Sequence, residues 1–229
     1  MAFYHRITIC FYSLLAVALY WFLQGQHFSI AGLLGQSFFK DYMDVFFKHP
    51  GYGFVISRLP SFLVVGILWS VLLMTRQEQE SNNTRKGFLP LALAVIVIQV
   101  GDPLIFPAET FTVNFLNGPP FETLIKFLFT VTLVPIIEEI VFRGFVPEAA
   151  RKIFGNRFGL WIGIVLSAAM FGYLHKQYSW ITQIEIALLG LIFGISRVRS
   201  GGLMQPILLH MLASVLAIAG GLIVLNGYR

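Results

Sequence analysis

Seven apolar runs of helical length follow one another along the chain, at about residues 7–24, 58–75, 87–101, 121–150, 158–178, 180–196 and 202–226. A helix needs roughly 20 apolar residues to cross a hydrocarbon core, so each run is expected to span a membrane. Polar and turn-forming residues separate them. Gln77 to Lys86 is a charged loop, Pro103, Pro107, Pro119 and Pro120 mark a loop before the fourth run, and Gly155-Asn156 is a natural stop and turn between the fourth and the fifth. Gln24 to Ser57 separates the first two runs. Its portion from Phe28 to Phe39 is apolar enough for an interfacial or re-entrant helix, which would add an eighth element. The pattern predicts an all-α, polytopic transmembrane bundle of about seven spans, folded as a single integral-membrane domain over 1–229 without repeats.

Composition agrees with this and narrows the function. Of the 229 residues 57% are apolar and 12% charged, and the mean hydropathy is +0.77, which excludes an ordinary soluble domain. The net charge of +5 comes from scattered Lys and Arg with no basic stripe, so no nucleic-acid partner is expected and the lipid bilayer is the surrounding medium. The charges read as topology information instead. With the N-terminus inside, the inner set holds ten basic residues: Arg6, Arg76, Arg85, Lys86, Arg143, Arg151, Lys152, Arg157, Arg197 and Arg199. The outer set holds five, namely Lys40, Lys48, Arg58, Lys176 and Arg229, which favours a cytoplasmic N-terminus. The first run ends in Tyr20-Trp21-Phe22 without a small-x-small cleavage site, so it is expected to be an uncleaved anchor. Cys10 is the only cysteine, which excludes an intrachain disulfide or a cysteine metal cluster.

Against this apolar background Glu138-Glu139-Ile140-Val141-Phe142-Arg143-Gly144 stands out. Ionisable groups at membrane depth cost a few kcal/mol each and usually serve function. Glu139 and Arg143 are spaced i,i+4 and are expected to pair, which leaves Glu138, about 100° round the helix, facing elsewhere. If the fourth and fifth helices form an antiparallel hairpin about Gly155-Asn156, the glutamates fall level with Gly172 and Tyr173. His175 lies within a turn of that level and shares a helix face with Phe171. His210 is a second intramembrane histidine, with Ser214 one turn beyond it. Two acids and two imidazoles in a dry cavity suit hydrolysis. Glu138 is the candidate general base for a water, His175 would orient that water or stabilise charge, and His210 with Ser214 would donate hydrogen bonds to an oxyanion. The same Glu138, His175 and His210 could instead bind Zn²⁺. There is no H-E-x-x-H helix and no G-x-S-x-G elbow. An ion- or proton-coupled transporter using the same residues is the rival from another class.

At these residues the sequence resembles the CAAX-protease and bacteriocin-processing (CPBP or Abi) family of intramembrane proteases. The family's E-E-x-x-x-R motif matches Glu138, Glu139 and Arg143, its F-x-x-x-H motif matches Phe171 and His175, and its third motif matches His210 but has Ser214 where Asn or Asp is common. The resemblance covers about Phe121 to Leu225. It implies hydrolysis of a peptide bond, in a peptide or membrane-protein substrate, by glutamate-activated water in a cavity open to the cytoplasmic side. Family members have been described both as metalloproteases and as metal-independent, and no cofactor is favoured over zinc-free chemistry here. Ser214 in place of an amide implies altered activity, and a catalytically impaired immunity or binding relative is the alternative within the family. Compact size and short loops fit a multi-pass protein of a bacterial plasma membrane. Neither the residues nor the resemblance indicates an oligomeric state.

Overall fold

The structure is a computed structural model that describes residues 2–25, 48–75, 87–106, 109–116 and 118–225. The interfacial helix expected over 28–39, the charged loop over 77–86, Pro107, Lys40, Arg76 and Arg229 lie outside the described residues. The described chain is helical and contains no strand. It forms α1 (Ala2–Gly25), α2 (Pro50–Thr75), α3 (Phe88–Ile105), the short α4 (Thr110–Leu116), α5 (Pro120–Val131), α6 (Leu133–Glu139), a π-helical segment (Ile140–Phe145), α7 (Val146–Phe154), α8 (Asn156–Leu174), α9 (Trp180–Ser200) and α10 (Met204–Leu225).

Six of these, α1, α2, α3, α8, α9 and α10, are long and apolar enough to cross a membrane, and the chain is a multi-pass membrane protein. The run expected as one helix over 121–150 is instead a succession of helical pieces from Pro120 to Phe154. Thr132 interrupts it first. Beyond Glu139 the winding widens, and the Val146 N–H bonds back to the Val141 carbonyl, five residues away. Such π segments occur often at functional sites. The regular helix resumes with Pro147 in its first turn, where the missing N–H costs least. The region expected as a loop from Pro103 to Pro120 is more ordered than its prolines suggest. α3 runs past Pro103 to Ile105, so Asp102 lies within the helix and not at its end, and α4 follows.

Close approach of small residues holds the site-bearing helices together, as is usual where lipid supplies no hydrophobic drive for helix association. Gly155, at φ +93°, turns the chain between α7 and α8. A side chain on Gly159 would strike the Ala150 carbonyl and one on Gly163 would lie 2.5 Å from the Pro147 Cα, so the expected hairpin forms with its backbones in contact. On the other flank of α8, Gly190 and Gly194 of α9 admit Ala168 and Ile164. α1 covers α2 and α7 with a buried stripe of Ile9, Ser13, Ala16 and Tyr20, whereas Phe11, Leu14, Trp21 and Phe22 are exposed as a lipid-facing surface would be.

Candidate active site

The i,i+4 pair forms as its spacing requires. Arg143 Nη1 donates to Glu139 Oε1 at 3.0 Å, and neither side chain has any exposed surface. A charged pair without solvent needs further partners, because the desolvation penalty otherwise exceeds the Coulombic gain. Arg143 Nη2 donates to the Gly190 carbonyl at 2.8 Å, and its guanidinium carbon lies 4.7 Å from the Phe171 ring centroid and 5.3 Å from that of Phe193. Gly190 is required here, since a Cβ at that position would stand 2.8 Å from Arg143 Nη2. His210 supplies the third partner: its Nδ1 lies 2.8 Å from the same Glu139 Oε1.

That contact fixes what His210 shows to the cavity. A carboxylate only accepts, so Nδ1 carries a proton and Nε2 is the nitrogen left for the cavity. Nε2 points at Glu138 Oε2, 3.7 Å away. Phe193 stacks on the His210 ring at 5.0 Å and Phe171 meets it edge-on at 5.4 Å, which holds the imidazole plane. His175 repeats the arrangement. Its Nδ1 faces the Phe171 carbonyl at 2.6 Å, so that nitrogen donates and Nε2 is the one left over. Two imidazoles and a carboxylate therefore face the same space.

That space is a cavity of about 530 Å³, lined by Glu138, His175, His210 and Ser214 together with Tyr20 and Arg58. Glu138, 14% exposed where Glu139 is fully buried, is the acid that reaches it, and Tyr20 Oη donates to Glu138 Oε1 at 3.2 Å. The structure thus brings Glu138, His175, His210 and Ser214 to one cavity and sets Glu139, Arg143 and Phe171 beneath it. Sequence reasoning did not single out Tyr20 or Arg58. Tyr20 carries a legible signal, since it falls in step with Ile9, Ser13 and Ala16 on the buried stripe of α1. Arg58 falls in step with Phe54 and Phe62, which also line the cavity.

Zinc would need three ligands converging on one point. Among the described residues no three His, Cys, Asp or Glu side chains come close enough together to hold a metal ion. Glu138, His175 and His210 as placed do not meet at one such point.

The cavity occupies one end of the bundle. Tyr20 near the end of α1, Phe54 and Arg58 near the start of α2, the turn after α8 and Ser214, Ala217 and Ile218 of α10 all line it. Arg6, Arg151, Lys152, Arg157, Arg197 and Arg199 belong to the opposite end. A cytoplasmic N-terminus, as expected from the sequence, would put the cavity-bearing end of the bundle on the other side.

A family model described as type II CAAX prenyl endopeptidase Rce1-like matches residues 120–216, from α5 into α10. A curated Escherichia coli protein, described as an uncharacterized 24.3 kDa protein, is 34% identical over 147 residues, which cover 61% of this chain and 66% of that protein. The match therefore takes in just under two thirds of that relative's length. No solved structure matches. Glu138, Glu139, Arg143, Phe171, His175, His210 and Ser214 all fall within the matched stretch, whereas Tyr20 and Arg58 precede it. Over residues 120–216 the chain is thus similar to the Rce1-like type II CAAX prenyl endopeptidases.

Proposed function

We propose that the chain is an intramembrane endopeptidase in which Glu138 activates water. The observation that carries the reading is the 3.7 Å separation of Glu138 Oε2 from His210 Nε2. It is too long for a direct hydrogen bond and suits a water that donates one hydrogen to each. Glu138 takes one proton as that water's oxygen attacks the peptide carbonyl carbon. The Ser214 hydroxyl, which lines the same cavity, supplies a donor to the oxyanion. The proton on Glu138 then passes to the leaving nitrogen as the C–N bond breaks, giving an acid and an amine. His210 acts here as an acceptor that orients the water, a role set by its Nδ1 bond to Glu139.

The charge distribution supports a mouth on the non-cytoplasmic side. Five basic residues outside α1, from Arg151 to Arg199, belong to the end away from the cavity, and the basic end of a multi-pass protein stays inside. Peptides, or tails of membrane proteins presented at that face, are the substrates this arrangement admits.

The test is cleavage of a quenched peptide library by the purified chain in lipid nanodiscs, comparing wild type with Glu138→Ala, each with and without a strong zinc chelator. Cleavage that Glu138→Ala abolishes and the chelator leaves alone is the expected result. Cleavage that survives in Glu138→Ala would sink the proposal. Loss on chelation that added zinc restores would replace the glutamate mechanism with a metal one.

A further inference from the structure

One cation in the cavity takes no part in this chemistry. On α2 the four-residue steps Phe54, Arg58 and Phe62 put three side chains on one face, and all three line the cavity. The wall they form is fixed by aromatic contacts. Phe54 meets Phe115 and Phe129 edge-on at 5.3 and 6.0 Å, and Phe62 stacks on Phe129 at 5.2 Å with the rings 3° from parallel. The Arg58 guanidinium carbon sits 3.8 Å from the Phe54 ring centroid, and its Nη1 donates to the Phe54 carbonyl at 3.2 Å.

A guanidinium carries five N–H donors in a planar fork, and this one uses a single donor. Among the described residues no carboxylate lies within ion-pair distance of it. Glu138, whose charge acts on Arg58 across the cavity, is turned towards Tyr20 and His210 instead. Arg143 shows the contrast: fully buried among aromatic rings, it has both a carboxylate and a carbonyl. A half-buried arginine in an apolar wall, lacking an acid of its own, matches a carboxylate brought by a ligand, to which its fork can bond twice.

We infer that Arg58 and the aromatic wall of α2 form a carboxylate-binding subsite, and that the peptide held in the cavity carries a carboxylate towards α2. The inference rests on the peptidase reading for the nature of the ligand. A C-terminal carboxylate and an Asp or Glu side chain offer the same chemistry, and experiment separates them.

The probes are short apolar peptides with a fluorescent label and an N-methylated backbone that prevents cleavage. One ends in a free carboxylate, one in an amide, and one in an amide with a Glu two positions earlier. Binding is read by fluorescence anisotropy on the full chain in nanodiscs. Wild type is expected to hold the free acid or the Glu peptide roughly tenfold more tightly than the plain amide, the size of one charge-assisted hydrogen bond. Preference for the free acid assigns the C-terminus, and preference for the Glu peptide assigns a side chain. Arg58→Gln should erase the preference while leaving the affinity for the plain amide unchanged, which controls for folding. Arg58→Lys should restore part of it. Equal affinity of wild type for all three peptides, an absence of binding included, would overturn the subsite, as would a preference that persists in Arg58→Gln. The two proposals fail separately. Carboxylate selection without cleavage of any peptide would remove the peptidase reading alone, and cleavage of acids and amides alike would remove the subsite alone.

Discussion

Arg143 illustrates how an expensive residue becomes stable in this bundle. Its charge is met by Glu139, its second nitrogen by the Gly190 carbonyl, and its faces by the Phe171 and Phe193 rings. Removing either member of the Glu139–Arg143 pair leaves the other charged and unsolvated. Arg143→Met is therefore expected to cost about 3–5 kcal/mol in thermal or denaturant unfolding in detergent, with the double variant Glu139→Leu/Arg143→Met recovering part of it. Glu138 lies beside the cavity and has no buried ion partner to strand. Glu138→Gln should leave stability within about 0.5 kcal/mol and lower cleavage by about 10²–10⁴-fold. Gly190→Ala places a methyl group against Arg143 Nη2 and 3.2 Å from the Ala168 Cα. It should lower stability by roughly 1–3 kcal/mol, measured the same way, because a fully buried guanidinium has nowhere to move. The pairing of Glu139 with Arg143 and the separate direction of Glu138 were readable in the sequence, since helix geometry alone sets them. The bond from Glu139 to His210 was not. It joins residues 71 positions apart, and no spacing rule reaches that far.

At the level of elements, the hairpin of α7 and α8 was legible because Gly155 marks its turn and equal counts along antiparallel helices bring Phe142 against Phe171, at 5.2 Å. The π winding was not legible, since Ile140 to Phe145 carries the same apolar pattern that an α-helix would. α4 was hidden by the prolines on either side of it. The loop preceding α4 is tied to the start of α9 by Glu109, which accepts from the Ser179 backbone N–H at 3.1 Å, from Ser179 Oγ at 2.6 Å and from Thr182 Oγ1. Burial alone would raise the pKa of Glu109, but these hydrogen bonds from Ser179 and Thr182 outweigh it and hold the carboxyl below its ordinary value of 4.5. A depressed folded-state pKa stabilises the fold fully above the unfolded value and progressively less as pH falls through the folded one. The tie should therefore weaken below pH 4.5. Ser179→Ala should lower the melting temperature near neutral pH and narrow the difference between neutral and acid, as followed by thermal scans in detergent.

For the whole molecule, hydropathy was enough to give a helical membrane bundle, because six long apolar helices leave few alternatives. It did not give the end at which the cavity opens, which depends on how six helices and a broken seventh element converge. The orientation is open to direct measurement, helped by Cys10 being the only cysteine. In a Cys10→Ser background, Lys176→Cys lies in the turn after α8 at the cavity end and Arg157→Cys in the first turn of α8 at the basic end. A membrane-impermeant maleimide added to intact cells should label Lys176→Cys and reach Arg157→Cys only after lysis. The reverse pattern would place the cavity on the cytoplasmic side and the N-terminus outside. Glu138 and Glu139, finally, hold their separate places only through the reading frame of the helix that carries them. One residue inserted between Thr132 and Glu138 would rotate whatever follows by about 100° relative to α5. A single added codon would then carry Glu138 into the enclosed place of Glu139 and turn Ile137 towards the cavity.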